Sequence, residues 1–173
     1  MTSPSDSREI RPVRAADAPR LTALLAQLGY PGEPGVVAAR LAVVLSSATQ
    51  RVLVAVPADD SRIDGYLGAE RRPALLHQDE HVEITGLVVD AAARRCGVGQ
   101  ALVAAAEEWA VRHGLPTIVV RSNVARPESH PFYEGIGYRR KATSHVYRKE
   151  IRGVPAPRVM VAGRRGSPEP PPW

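Results

Sequence analysis

Leu87-Val88-Val89-Asp90, followed by AAARRCGVGQ over 91–100 and ALVAAAEEWAVRH over 101–113, is the stretch from which the fold is read. An apolar run of branched residues stops at Asp90, a short loop carries Arg94, Arg95, Gly97 and Gly99, and an Ala-rich segment follows without a break. That order predicts a strand, an anion-binding loop and a helix. The first turn of a helix leaves backbone N–H groups without intrahelical partners, and the peptide dipoles place partial positive charge beside them, so such an end holds a phosphate. Gly97 and Gly99 would let the backbone approach a pyrophosphate, while Arg94 or Arg95 adds a charge-assisted donor. Taken without its context, the same pattern is a glycine turn flanked by solvated arginines.

Working outward, residues 81–89 form the strand that leads into this loop, and Thr85-Gly86 in its interior predicts a bulge or a close backbone approach. Gly114-Leu115-Pro116 stops the helix, and the β-branched run 117–120 suits a parallel strand reached by a crossover. Upstream, residues 10–13 read as a short strand with Pro12 at an edge. Asp17 stands at a helix N-cap, with Pro19 just inside and Leu21, Leu24, Leu25 and Leu28 at helical spacing before Gly29. A second helix is predicted over 36–46, with Val37, Leu41, Val44 and Leu45 as its buried stripe. Strands over 51–56 and 63–70 are joined by the turn Asp59-Asp60-Ser61, and one or two final strands are expected over 138–151.

The chain has 173 residues, 44% of them hydrophobic, and suits one soluble domain. Its net charge is +5, but four arginines against Glu169 in the segment 152–173 account for +3 of it, so the basic balance does not indicate a nucleic-acid-binding face. Residues 1–7 are expected to be disordered, 8–151 to form the domain, and the Pro- and Arg-rich 152–173 to be a disordered tail. A lone Cys96 excludes an intrachain disulfide framework, and no Cys and His cluster has zinc spacing, so no metal is expected. MTSPSDSREI lacks the apolar core of a signal peptide and no apolar run reaches membrane-spanning length, so a cytoplasmic location is expected.

Arg94-x-x-Gly97-x-Gly99 between a strand and a helix resembles motif A of the GNAT N-acetyltransferase family, and HPFYEGIGY over 130–138 resembles its motif B. The likeness extends over about 8–151 and is specific within 81–100 and 130–138. It implies a stand-alone member of bacterial type with the acyl-CoA N-acyltransferase fold. That fold is α/β (α+β), a mixed, mostly antiparallel central sheet with a splayed parallel strand pair and flanking helices. Acetyl-CoA is the implied co-substrate. Leu87, Val88 and Val89 would bond its pantetheine arm through their backbone, and Arg94, Arg95, Cys96, Gly97, Val98, Gly99 and Gln100 would hold its pyrophosphate. Within that loop a Cys96 thiolate would repel phosphate, so Cys96 reads as a packing residue.

The resemblance gives Tyr133 the role of protonating the departing sulfur; alternatively, Phe132-Tyr133 is an aromatic pair that packs a short helix. Glu83 is the candidate base, acting through a water, with His81 as its rival; strand alternation puts both on one face, where they would either act together or both simply be solvated. Arg126 stands where motif B carries an Asn, with Asn123 three residues earlier, and is a candidate for a CoA phosphate. The implied activity is acetyl transfer to a primary amine by direct attack in a ternary complex. A non-catalytic acyl-CoA sensor or partner-binding module is the alternative. No Lys-Ser or Lys-Thr follows Gly99, which argues against a P-loop. The acceptor is expected to be a small-molecule or peptide amine, with neither nucleic acid nor membrane as partner and a homodimer left open. Glu33, Glu70, Asp79 and Glu80 would either form an acidic mouth for a cationic amine or be scattered surface charges.

Overall fold

In the computed structural model, which describes residues 8–74, 79–127 and 129–149, five strands lie in the order of the chain. They are β1 (Arg8–Pro12), β2 (Gln50–Pro57), β3 (Gly65–Arg72), β4 (His81–Val89) and β5 (Ile118–Val120). Helices α1 (Ala18–Gln27) and α2 (Pro34–Leu45) precede β2, α3 (Val98–Arg112) joins β4 to β5, and α4 (Ser129–Gly135) follows β5. Neighbouring strands are antiparallel except β4 and β5, which are parallel.

Apolar residues cover both faces of the sheet. On one, Leu102, Val103, Ala106 and Trp109 of α3 pack on Leu53, Leu67, Ala69, Val82 and Ile84. On the other, Leu21 and Leu24 of α1 and Val37 and Leu41 of α2 cover Val52, Val54, Val56 and Val88. Of the stripe expected on α2, Val37 and Leu41 are buried and Val44 is half-buried. Leu45 is 46% exposed, because it lies in the last turn, where the helix runs out over the start of β2.

The expected bulge is present at Thr85. Gly68 pairs with Gly86 and Ala69 with Ile84, which leaves Thr85 without an opposite residue. On its other side β4 pairs with β5 only through Val82, Glu83 and Ile84, so the parallel pair ends where the bulge begins. An extra residue twists and bends a strand. Here it carries β4 beyond Ile84 with no strand partner on the β5 side.

Pro12 ends edge strand β1 as expected, since the edge has no partner to receive an N–H. Asp17 holds the N-cap position of α1, but its side chain does not cap that helix. Its carboxylate accepts from the Arg14 N–H at 2.8 Å and from the Arg11 guanidinium at 2.8 and 3.0 Å. Arg11 also donates to the half-buried Asp60 at 2.8 Å, tying β1, the start of α1 and the β2–β3 turn into one network. Burial pushes the Asp17 carboxyl up, yet Arg11 and the Arg14 N–H outweigh it and hold it below the usual carboxylate range. A depressed folded pKa contributes stability above the unfolded value of about 4 that is lost as pH falls through the folded one. Asp17→Asn leaves Arg11 buried with half its partners, and urea unfolding at neutral pH should show a loss of about 3 kcal/mol, together with a weaker acid dependence.

The final strands expected over 138–151 do not form among the described residues 138–149. From Arg139 to Lys149 the sequence offers few apolar side chains to bury a strand face, and Val146 and Tyr147 are 94% and 91% exposed. The chain divides into two units, Met1–Thr143 and Ser144–Trp173. All the elements above belong to the first; of the second, residues 144–149 are described and carry no helix or strand. The expected disordered segments 1–7 and 152–173 lie outside the described residues. No helix among the described residues is long and apolar enough to cross a membrane.

Candidate active site

Beyond the bulge, strand alternation decides which backbone groups of β4 are open. The Asp90 N–H donates to Asp64 O at 2.8 Å on the β3 side. Groups two residues apart point the same way, so those of Val88 also face β3 and those of Leu87 and Val89 face the side β5 has left. Of the three residues assigned to the pantetheine arm, Leu87 therefore presents free backbone and Val89 a free N–H, while Val88 contributes a side chain buried against α1 and α2.

The loop after β4 is tightly tied. Asp90 accepts from the Ala92 N–H at 2.9 Å and from the Gln27 side chain at 2.8 Å, and Gln27 in turn accepts from the Ala91 N–H at 3.1 Å. Arg94 donates its Nε to Val89 O at 3.2 Å. Arg95 and Gly97 both have left-handed backbone, with φ of 62° and 76°, and Gly97 becomes the N-cap of α3 without any side-chain cap. The first backbone bond of α3 is Ala101 N–H to Gly97 O, so the N–H groups of Val98, Gly99 and Gln100 remain for an anion. A Cβ at Gly97 would meet nothing within 4 Å, which leaves room at this end for a ligand. The Val98 side chain is buried, so only its backbone faces the site.

Gly99 has a second reason to be glycine. A Cβ there would lie 3.3 Å from two ring carbons of Phe132 and 3.6 Å from Val89 Cγ2. Phe132 thus packs on the first turn of α3, on the side where Val89 of β4 also approaches it. This contact joins the two sequence motifs, and nothing in either alone announces it. Cys96 is exposed, not packed as expected, because the loop turns it outward with Sγ 3.5 Å from Arg94 O.

Tyr133 stacks edge-on against Phe132 with centroids 5.0 Å apart and lies 5.6 Å from the Tyr138 ring. Burial pushes its phenol up to about 12, so it keeps its proton at neutral pH. Tyr138, in the Gly-x-Gly-Tyr end of the motif, donates to Glu107 of α3 at 3.1 Å and anchors the turn after α4.

Glu83 and His81 share a face, as alternation predicts, but neither stands free. The Glu83 carboxylate lies 3.5 Å from Arg72 and 3.4 Å from Arg121, and His81 is buried with Nδ1 3.1 Å from Asp79 O. Arg126 donates to Leu28 O at 2.9 Å, linking the β5–α4 connection to the end of α1. Asn123 accepts from the Ala125 N–H at 2.9 Å within its own turn. The acidic mouth is not formed as four unopposed carboxylates: Glu70 pairs with Arg72 at 3.3 Å and Glu80 with Arg71 at 2.8 Å. No cluster of three or more His, Cys, Asp or Glu side chains able to hold a metal occurs among the described residues.

A relative from Bacillus subtilis (strain 168), "Uncharacterized N-acetyltransferase YhdJ", is 31% identical over 94 residues, which is 54% of this chain and 64% of that protein. The match therefore spans less than two thirds of that relative's length. The aminoglycoside N-acetyltransferase AAC(6')-Iy in complex with CoA has a TM-score of 0.75 at 19% identity, covering 84% of this chain and 96% of that one. AAC(6')-Ih from Acinetobacter baumannii has a TM-score of 0.74 at 20% identity, over 84% of this chain and 99% of that one. An acetyltransferase from Trypanosoma brucei has a TM-score of 0.67 at 25% identity, covering 84% and 100%. These likenesses bear out the mixed, mostly antiparallel sheet with flanking helices. The model of the acetyltransferase (GNAT) family matches residues 33–138, which include the bulged strand, the glycine loop, α3 and the aromatic helix, and the chain belongs to that family.

Proposed function

We propose that this protein transfers an acetyl group from acetyl-CoA to a primary amine by direct attack in a ternary complex. The observation that carries the reading is continuity. The free edge of β4 at Leu87 and Val89 runs within a few residues into the unsatisfied N–H groups of α3, so one surface offers partners for amides and then for phosphates. Leu87 and Val89 bond the pantetheine arm, and residues 94–100 hold the pyrophosphate. Val98, Gly99 and Gln100 do so through backbone N–H groups and Arg95 through charge, while Arg94 holds the loop to Val89. Arg126 is the candidate for a CoA phosphate once it leaves Leu28. The neighbouring aminoglycoside N-acetyltransferases support a small-molecule amine as acceptor.

In the reaction the amine nitrogen attacks the thioester carbonyl carbon, the C–S bond breaks, and the amine loses a proton. Tyr133, neutral and half-buried, gives its proton to the departing sulfur. Glu83 receives the amine's proton through a water, in competition with Arg72 and Arg121 for its oxygens. If Glu83 is that base, Glu83→Gln should remove the acidic limb of the pH–rate profile, because protonating the base is what slows the wild type as pH falls. An unaltered limb would transfer the role to His81 or to solvent.

The two guanidiniums on Glu83 are also the one observation that favours the second reading, an acyl-CoA-binding module without turnover. Mass-spectrometric screening of amine libraries for CoA release separates the two. Amine-dependent release of CoA supports transfer, and saturable acetyl-CoA binding with no release for any amine supports the module.

A further inference from the structure

Resting on the acetyl-transfer reading, we propose that the cavity beneath the C-terminal end of α2 seats the acceptor and selects a small amine that carries hydroxyl groups. The cavity measures about 170 Å³ and is lined by Val44 of α2 and by Gln50, Val52, Tyr66, Glu70 and Thr85. The register pairs Gln50 with Glu70, Val52 with Gly68 and Val54 with Tyr66, so these side chains share the sheet face covered by α1 and α2.

The floor is a cross-strand pair of glycines, Gly68 and Gly86. A Cβ on Gly68 would fall 2.6 Å from Tyr66 Oη and 2.8 Å from Thr85 Oγ1, and one on Gly86 would be 3.4 Å from Tyr66 Cε1. The Tyr66 ring therefore lies over both glycines, with its hydroxyl beside that of the bulge residue. Neither hydroxyl, nor the Gln50 side-chain amide, has a hydrogen-bond partner among the described residues. Tyr66 and Gln50 are half-buried and Thr85 is exposed, so all three polar groups are open to a ligand that brings several donors and acceptors. Burial holds the Tyr66 phenol in its protonated, donating form.

Glu70 supplies negative charge at the rim, shared with a half-exposed Arg72 that an ammonium group can displace. Sites for drug-sized ligands run from about 300 to 1,000 Å³, so this one takes a single ring or short chain. A protein lysine would bring an amine but no hydroxyls for Tyr66, Thr85 and Gln50. Thr85 also fixes the geometry: its side chain lines the cavity, while its backbone stands where β4 leaves β5. An amine seated here therefore lies across a single strand from the open edge assigned to acetyl-CoA.

The test compares glucosamine with cyclohexylamine, a six-membered ring without hydroxyls, and with a lysine-bearing peptide, each as acceptor for the full chain with acetyl-CoA. Each amine is its own reference. Tyr66→Phe and Thr85→Val should each lower kcat/KM for glucosamine about tenfold through KM, as expected for the loss of a hydrogen bond to substrate. Both variants should leave cyclohexylamine transfer within twofold and acetyl-CoA affinity unchanged, which also shows that they are folded. Equal losses for both amines, no loss for glucosamine, transfer to the peptide alone, or no transfer to any of the three while acetyl-CoA binds would each overturn the inference. Failure of the wild-type protein to bind acetyl-CoA would instead overturn the transfer reading, and this inference with it.

Discussion

Tyr133→Phe should slow the chemical step about 10²-fold or more and leave acetyl-CoA affinity nearly unchanged. The substitution keeps the ring that packs between Phe132 and Tyr138 and removes only the proton. Single-turnover kinetics is the right measurement, because slow product release would mask a change in chemistry. The pH dependence carries a second signature. With its phenol pushed up to about 12, Tyr133 remains a proton donor across the working range, so any alkaline fall attributable to it should appear only as pH approaches that value. An alkaline limb near 8 would belong to another group, and unchanged turnover in the variant would reduce Tyr133 to a packing residue.

Gly99→Val should weaken acetyl-CoA binding more than tenfold, and the structure gives two reasons for it. The added side chain enters the first turn of α3, where the amides face the ligand, and it collides with Phe132, whose ring would stand 3.3 Å from the new Cβ. Two companions separate these causes. Gly97→Ala meets no neighbour but forces a left-handed backbone on a residue with a side chain, at a cost of about 1 kcal/mol. Arg95→Gly removes the charge while relieving the strain at φ 62°, so it should weaken binding less than Gly99→Val because the amides and the helix dipole remain. Calorimetry on the folded variants checks the order. Unchanged affinity in Gly99→Val would rule out this loop as the phosphate site.

The sequence makes legible what the chain determines locally. Thr85-Gly86 inside an apolar run marked the bulge, and Gly97 at the end of a loop marked the helix start, because a glycine in either place has a backbone reason. What could not be read was the identity of partners distant in sequence. Asp17 looked like a cap, and its carboxylate is instead claimed by Arg11 from β1. Glu83 looked like a free base, and Arg72 and Arg121 arrive from two other segments to pair with it. Tyr66 carried no signal of its own. Tyr66-x-Gly68 becomes informative only when Gly86 is known to lie opposite Gly68 and both are seen to clear space for the ring. The expected strands over 138–151 show a third limit, since so polar a stretch gives a sheet edge little apolar surface to bury.

On the proposed function, the free edge of β4 and the first turn of α3 form one binding surface for acetyl-CoA. Two-dimensional amide NMR of the isotope-labelled full chain, titrated with acetyl-CoA, tests it directly. The largest shifts should fall on the N–H groups of Leu87 and Val89 and of Val98, Gly99 and Gln100, with a smaller response at Val88, whose N–H faces β3. Saturation by acetyl-CoA with those amides unmoved and the shifts clustered elsewhere would place the cofactor on another surface.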